Sequence, residues 1–330
     1  MTPPEVPSSS EPLATAPPDS GPRHPSRPNM SAHPANLSSL DTATAVFLGS
    51  RRRLFGLAYR MLGTVAEAED VVQETWLRWQ TADRSNVLEP TAYLVSVTTR
   101  IAINISHSAR SRRETYIGPW LPEPVDTTAD PTLGAERGEA LELAVLLLLE
   151  KLPATERAAY VLREAFDYSH REIAAVLEIT ESNARQLVTR ARKHIAGERK
   201  ARAGKAEQEQ LLRAFLTAAR QGELSGLERL LSSDAVSTSD GGGAVRAALA
   251  PIRGRTKVAR FIASFASHWW TGATITWIQA NGNFAALLFR DGRPYALVSA
   301  ETSAAGIEQI MWVLNPAKLA SLTTRTPPPA

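Results

Sequence analysis

Seven polar residues at helical spacing are the first feature of this 330-residue chain to carry a chemistry. Ser182, Asn183, Arg185, Gln186, Thr189, Arg190 and Lys193 share one face of a segment whose other face is Ala184, Leu187, Val188, Ala191 and Ile195. Arginine, asparagine and glutamine can pair bidentately with base edges, while lysine and serine suit phosphates. The chemistry on offer is nucleic-acid recognition. A second basic run, Ser108-Ala-Arg-Ser-Arg-Arg113, closes an earlier helical segment. It could follow a phosphate backbone or simply oppose the dipole of a helix C-terminus. Catalysis finds no such support. Asp240, His268 and Asp291 are scattered, and a lone histidine is more often structural. Cysteine is absent, which excludes disulfides, thiolate metal sites and cysteine nucleophiles. No cofactor, no metal and no enzymatic activity are expected.

The elements around the seven residues give them a setting. Ser169-His-Arg-Glu172 is a capping box that opens a short helix with Ile173, Ala174 and Leu177 inward. Glu178 and Ile179 follow, and Thr180 or Ser182 can cap the polar-faced helix. Short helix, tight turn and second helix make a helix-turn-helix, although the glycine often found in its turn is missing. The plainer reading is a helical hairpin with a solvated basic face. Upstream, Thr42 to Arg113 reads as helix throughout. Leu54, Leu57, Ala58, Met61 and Leu62 line one face, Gly63 breaks the helix, and Thr64-Val-Ala-Glu67 is a second capping box. The next helix turns Ala68, Val71, Val72, Thr75, Trp76 and Trp79 inward and Glu67, Asp70, Glu74 and Arg78 outward. A third starts near Pro90 and buries Leu94, Val97, Ile101 and Ile105.

Composition divides the chain further. The proline- and serine-rich N-terminus and the tail ending in three prolines cannot bury enough surface to order themselves. The expected boundaries are a disordered extension over 1–41, a helical domain over 42–113, a proline-rich linker over 114–135, a helix-turn-helix domain over 136–200, an α+β domain over 206–322 and a disordered tail over 323–330. In the α+β domain, helices near 207–221, 224–231 and 256–265 precede four strands near 274–279, 284–290, 295–300 and 306–314. The Asp291-Gly-Arg-Pro294 turn should join two strands of an antiparallel run. Trp269, Trp270, Trp277 and Trp312 are expected to fill this domain or line a pocket. The net charge of +3 is too small to imply a polyanionic partner by itself. No run is apolar enough for a membrane helix and no secretory signal is visible, so a reducing cytoplasm beside the nucleoid is the expected location.

Several segments resemble one family. Leu54-Phe-Gly-Leu-Ala-Tyr-Arg-Met-Leu-Gly63 and Ala68-Glu-Asp-Val-Val-Gln-Glu-Thr-Trp-Leu-Arg-Trp79 resemble region 2 of extracytoplasmic-function sigma factors. Leu152-Pro-Ala-Thr-Glu-Arg157, Tyr168-Ser-His-Arg-Glu-Ile-Ala174 and Asn183-Ala-Arg-Gln-Leu-Val-Thr-Arg-Ala-Arg192 resemble region 4. Tyr116-Ile-Gly-Pro-Trp-Leu-Pro-Glu-Pro124, Asp240-Gly-Gly-Gly243 and Asn315-Pro-Ala-Lys-Leu319 look like signatures of the members that carry a fused C-terminal SnoaL-like domain, an α+β cone. Ala244 and Ala317 depart from that pattern, standing where a basic and an acidic residue are expected.

The resemblance implies a transcription initiation factor with two all-α sigma domains and an α+β SnoaL/NTF2-like cone. It implies that Asp70, Gln73, Glu74 and Arg78 dock on the clamp helices of core RNA polymerase, with a further contact to the flap. Tyr93, Arg100, Asn104, Arg110, Arg112 and Arg113 would then serve the −10 element, and the seven polar residues of the helix-turn-helix the −35 element. Trp120, Leu121, Pro122, Asp240, Gly241, Gly242, Gly243, Asn315 and Pro316 would be regulatory, the C-terminal domain acting in cis, with a small-molecule ligand in its pocket as a further possibility. Two other classes stay open. One is an enzyme or sensor of small molecules on a DNA-binding scaffold; the other is a helix-turn-helix repressor that never meets polymerase.

Overall fold

A computed structural model describes residues 40–128, 141–198 and 203–322, apart from the side chains of Arg110, Ser111 and Glu198. The two expected disordered ends therefore lie outside the described residues, except that Leu40 and Asp41 are helical. They open α1 (Leu40–Leu62), which is followed by α2 (Val65–Thr81) and α3 (Pro90–Glu114). The inward faces are those the spacing predicts, with Pro90 in the first turn of α3. Helix α1 is buried more completely than an amphipathic stripe requires, and even Arg60 is 1% exposed. Its guanidinium survives there by donating to the Gly56 carbonyl (3.1 Å) and lying 5.3 Å from the Phe166 ring centre.

The capping box expected at Thr64 is not formed. The Thr64 hydroxyl donates instead to Glu67 Oε2 (2.7 Å), and Glu67 is also drawn to Arg112. The open end of α2 is served from elsewhere, by Glu123 Oε2 accepting from the Val65 N–H (2.8 Å). A carboxylate at a helix N-terminus is favoured by the exposed amides and by the dipole.

The second helical domain holds α4 (Leu143–Leu149), α5 (Ala154–Phe166), α6 (His170–Leu177) and α7 (Glu181–Glu198). Here the box at Ser169 is complete, with Glu172 N–H on Ser169 Oγ (3.2 Å) and Ser169 N–H on Glu172 Oε2 (2.7 Å). Thr180, not Ser182, caps α7, accepting from the Asn183 N–H (3.2 Å). The glycine missing from the turn is replaced by Glu178 in the left-handed region (φ 56°), a conformation that costs a non-glycine residue about 1–2 kcal/mol. Residues of both helical domains, from Leu54 and Val71 to Val161 and Ile173, belong to one continuous apolar core.

In the C-terminal domain α8 (Lys205–Gln221) and α9 (Leu224–Leu230) lead into β1 (Leu231–Asp240). Then come β2 (Ile252–Arg253), α10 (Arg255–Ala263), α11 (Ala266–Trp269), β3 (Thr274–Ala280), β4 (Asn283–Arg290), β5 (Arg293–Ser303), β6 (Gly306–Val313) and α12 (Pro316–Leu319). Strands β1 and β2 were not expected. Serine and threonine dominate β1 without apolar alternation, yet Ser232, Ser237, Thr238, Ser239 and Asp240 are all buried. The sheet runs β2-β1-β6-β5-β4-β3. The four expected strands, β3 to β6, form the antiparallel run that was expected, and the sheet is mixed only because the unexpected β1 pairs parallel to β6. The turn at Asp291-Gly292 (φ 50° and 73°) joins β4 to β5 as expected, and Asn281-Gly282 (φ 54° and 77°) joins β3 to β4. Among the described residues no helix is long and apolar enough to cross a membrane.

Candidate functional site

All seven polar residues of the helix-turn-helix are exposed along α7. Arg185 leans on Glu181 (3.1 Å) and Arg190 on Glu156 (3.2 Å), while the Thr189 hydroxyl donates to the Arg185 carbonyl (2.8 Å). On α2, Asp70, Gln73 and Arg78 are exposed and Glu74 half-buried, with Arg78 paired to Glu74 (2.8 Å). Beside them lies a shallow depression that includes Phe47, Leu48, Val72 and Trp76.

The six positions on α3 do not form one surface. Tyr93 is half-buried, its ring 5.6 Å from that of Trp79, and Asn104 is exposed. Arg100 reaches across to Glu178 (2.7 Å) and so ties α3 to the helix-turn-helix. Arg112 pairs with Glu67. Arg113 is turned inward, with 13% of its side chain exposed, between the Leu62 carbonyl, Glu150 and the face of Trp120. In this arrangement it is not presented to DNA. The Arg110 side chain lies outside the described residues.

The three signature segments, remote in sequence, meet at one place. Asp240 ends β1 fully buried, and its carboxylate collects three donors. The Tyr116 hydroxyl donates to Oδ1 (2.6 Å), while the Leu121 N–H (2.8 Å) and Lys318 Nζ (2.7 Å) share Oδ2. Lys318, on α12, also donates to the Leu121 carbonyl and lies 4.4 Å from the ring centre of Trp120 and 5.0 Å from that of Tyr116. Burial lowers the pKa of this ammonium while the Asp240 charge pulls the other way. The Tyr116 hydroxyl is shifted upward, first by burial and then by its bond to Asp240, so it stays a donor. Asn315 Nδ2 donates to the Tyr116 oxygen (2.9 Å), and its side-chain oxygen caps α12 ahead of Pro316 by accepting from the Ala317 N–H (3.0 Å).

Backbone shape makes this convergence possible. Leu314 and Asn315 N–H groups both donate to the Asp240 carbonyl (2.8 and 2.9 Å), and Gly241 turns the chain by accepting from Val245 (3.1 Å). Gly242 has φ 59°, and a Cβ there would stand 2.2 Å from Asn315 Nδ2. A Cβ on Gly243 would likewise meet Ile117. On the opposite side Trp120 lies against Gly63 (φ 72°), where a Cβ would be 2.7 Å from its Cη2. Pro122 sits beside the same glycine, and Leu121 is 1% exposed. The Ala244 and Ala317 departures fall on exposed positions outside the Asp240 cluster.

A second contact, which sequence reasoning missed, gathers around Asn281. Fully buried, its side chain donates to the Tyr59 oxygen on α1 (2.7 Å) and to the Leu141 carbonyl (2.9 Å), and accepts from the Val125 N–H (2.9 Å). Its own N–H donates to the Val125 carbonyl (2.9 Å). Thr127 N–H and Oγ1 both donate to the Gln279 carbonyl (2.9 and 3.0 Å), and the Gln279 N–H donates to Thr128 Oγ1 (2.9 Å). The linker thus docks on the end of β3. The Asn-Gly pair signals a hairpin turn, but nothing local signals that the turn would be buried against three other segments. The proline-rich stretch connects domains in chain order, yet its residues 116–128 are held tightly.

The C-terminal domain also contains a cavity of about 550 Å³. Trp269, Trp270 and Trp312 line it, whereas Trp277 stacks on Phe284 elsewhere. Its remaining wall is apolar except for Ser239, Arg246 and His268. Asp240 and Asp291 are not among the lining residues, so no acid–base set is assembled there.

Helix-turn-helix, a preceding three-helix domain and a fused mixed-sheet domain define a class: a sigma factor with an α+β domain appended at its C-terminus. Residues 47–114 match Sigma-70 region 2, and residues 142–195 match Sigma-70, region 4. The chain is 38% identical over 221 residues to the ECF RNA polymerase sigma factor SigJ of Mycobacterium tuberculosis, covering 66% of this chain and 70% of that one. It is 32% identical over 199 residues to the probable ECF RNA polymerase sigma factor SigI of the same species, covering 59% and 69%. The crystal structure of M. tuberculosis SigJ superposes with a TM-score of 0.68 at 29% identity, covering 84% of this chain and 98% of that one. The chain belongs to the ECF RNA polymerase sigma factor family, whose members bind core RNA polymerase and direct promoter-specific initiation.

Proposed function

We propose that the arrangement described is the closed form of this sigma factor, held by its own C-terminal domain and opened for polymerase. The carrying observation is that both helical domains share one core while the linker between them is clamped by Asp240 and Asn281. Promoter elements at −10 and −35 are 25 base pairs apart, which is about 85 Å of duplex at 3.4 Å per step. A compact body of about 150 residues is roughly 40 Å across. With Arg157 of α5 bonded to the Met61 carbonyl of α1 (2.5 Å), the two domains cannot reach both elements together. Opening must break that core and draw out the linker.

In the open form α7 would read the −35 element through Ser182, Asn183, Arg185, Gln186, Thr189, Arg190 and Lys193. Helix α3 would serve the −10 element, with Arg100 and Arg113 freed from Glu178 and Glu150. The α2 face of Asp70, Gln73, Glu74 and Arg78 would meet the polymerase clamp helices, and the helix-turn-helix domain the flap. Control of this kind needs two arrangements whose balance is shifted, not contact alone.

The test is transcription in vitro with purified core polymerase on a promoter library. Full-length protein, a truncation near Lys205 and Asp240→Asn are compared. Altered initiation by both variants from start sites sharing −10 and −35 elements supports the reading. Unchanged initiation by both sinks the regulatory part. Tight duplex binding without any polymerase-dependent start sites would instead favour a repressor.

A further inference from the structure

The cavity and the Asp240 cluster are built from the same pieces of chain. Ser239 lines the cavity, and the next residue, Asp240, holds the linker. Leu314 lines it too, while its N–H donates to the Asp240 carbonyl (2.8 Å). The loop 241–251 has no helix or strand. Arg246, Ala247 and Ala248 form the cavity wall from one side of this loop. From its other side Gly243 abuts Ile117 and the Ala248 carbonyl abuts Gly118. One irregular loop is therefore the partition between the cavity and the linker.

The lining states what the cavity would hold. Three tryptophans meet at right angles, with Trp269 centred 4.6 Å from Trp270 and 5.5 Å from Trp312, and Phe261 and Phe265 face them. Such walls favour a flat ring system seated edge or face against the indoles. The volume of about 550 Å³ lies within the range of small-molecule sites. None of the lining residues is acidic, which disfavours a cation despite the aromatic walls. Arg246 lines the rim with its side chain exposed, and among the described residues it has no carboxylate partner. A guanidinium in that position matches a planar carboxylate.

We propose that the cavity binds a planar aromatic carboxylate and that its occupancy releases the linker. The proposal rests on the closed-form reading above. The direction follows from which wall can yield. Trp312 and Leu314 belong to the buried sheet side, and Trp270 is buried as well. Close-packed interiors transmit strain and do not absorb it. The loop 241–251 is the soft wall, and moving it outward displaces Ile117 and Gly118 and strains the Tyr116–Asp240 bond. The carboxylate would draw Arg246 inward and so rotate the same loop.

The experiment uses the full-length protein and 2-naphthoate as probe, with 2-naphthylmethanol as its uncharged match. Calorimetry measures binding, and amide hydrogen exchange at Leu121 measures linker release. The expected result is saturable naphthoate binding that Arg246→Ala weakens about tenfold or more, as loss of a charge-assisted pair should. Naphthylmethanol should change less than about twofold. Exchange at Leu121 should quicken with naphthoate. No saturable binding, or binding with unchanged exchange, overturns the proposal. Asp240→Asn separates this from the underlying reading, because it should quicken the same exchange with no ligand present. Should that variant not fold, Trp120→Leu serves the same purpose. If neither variant quickens exchange, it is the closed-form reading that fails.

Discussion

From Tyr116 to Leu121 the linker meets the C-terminal domain through charge buried under aromatic rings, whereas from Val125 to Thr128 it meets it through neutral hydrogen bonds. The first contact centres on Asp240 and Lys318, whose side chains are 0% and 9% exposed. The second is a short stretch of strand-like pairing onto Gln279, Ala280 and Asn281. A buried ion pair contributes little net when intact, yet breaking it by removing one partner is costly. Neutral hydrogen bonds are graded, each contributing about 0.5–1.5 kcal/mol. The difference implies that the Asp240 contact behaves as a catch and the Asn281 contact as a hinge that loosens by degrees.

Asp240→Asn should break that contrast most. The amide offers one acceptor oxygen where three donors converge, and it takes from the buried Lys318 its directly bonded counter-charge, leaving only the more distant Glu123 carboxylate. Removing one member of a buried pair costs about 3–5 kcal/mol. Amide exchange at Leu121 should therefore rise by two orders of magnitude or more, about tenfold per 1.4 kcal/mol. Exchange at Val125 should rise far less if the two contacts are independent. Equal acceleration at both amides would mean that the linker leaves as one unit, and the comparison would fail.

Asn281→Ala comes next. It removes the partners of the Tyr59 oxygen, the Leu141 carbonyl and the Val125 N–H, and it places alanine at a positive φ. Orphaned buried groups and the strained backbone together predict a loss of about 2–4 kcal/mol. Asn281→Gly keeps the backbone conformation at ease, so the difference between the two variants isolates the strain. Melting of the full-length protein reads both. A loss in the glycine variant as small as a few tenths of a kcal/mol would show that the side-chain bonds carry little.

How far the sequence foretold these contacts depends on the distance over which each is decided. The Ser169 box is local, and both of its bonds form as its four residues predict. The Thr64 box has the same pattern and fails: Glu67 is drawn to Arg112, 45 positions away, and the helix end is served instead by Glu123, 58 positions from the Val65 N–H it accepts from. The inward faces of α1, α2 and α3 follow their spacing. Strand β1 does not announce itself, since its buried serines and threonines are held by neighbouring strands and not by an apolar pattern. The Trp120, Asp240 and Asn315 segments are recognisable one by one through resemblance, but their meeting point depends on Tyr116, which spans 124 positions to Asp240 and 199 to Asn315. Lys318 completes that cluster from within a recognised segment. Asn281 carries a turn signal and nothing that marks it as the hub of a junction.

Trp120→Leu sharpens the comparison from the ring side. Its indole lies 3.8 Å from the Arg113 guanidinium and 4.4 Å from Lys318 Nζ, so one ring serves two cations from different domains. Desolvated cation–π contacts contribute up to about 2 kcal/mol. The expected loss of about 1–2 kcal/mol should appear at Leu121 and spare Val125, as for Asp240→Asn but smaller. Initiation in vitro should shift in the same direction for both variants, since both open the same catch.

The smallest expected effect lies at Glu123, which stands between the two contacts. Burial raises its pKa, and the Val65 N–H, the Lys318 charge and Ser321 oppose that rise without reversing it. In the closed form the carboxyl therefore holds its proton at pH values where the released linker, exposed to water, has lost it. The closed form binds more protons in that window, so lowering the pH through it strengthens closure, and raising the pH weakens closure. At neutral pH the charged carboxylate is a small load on the closed form that the α2 amide only partly offsets. Glu123→Gln keeps an acceptor for the Val65 N–H and cannot titrate. Exchange at Leu121 and Val125 should slow as the pH falls below neutral, after correction for intrinsic exchange, in the native protein and not in this variant. A dependence that persists in Glu123→Gln would assign the titration to another group. One that appears only at Val125 would place Glu123 with the hinge and not the catch.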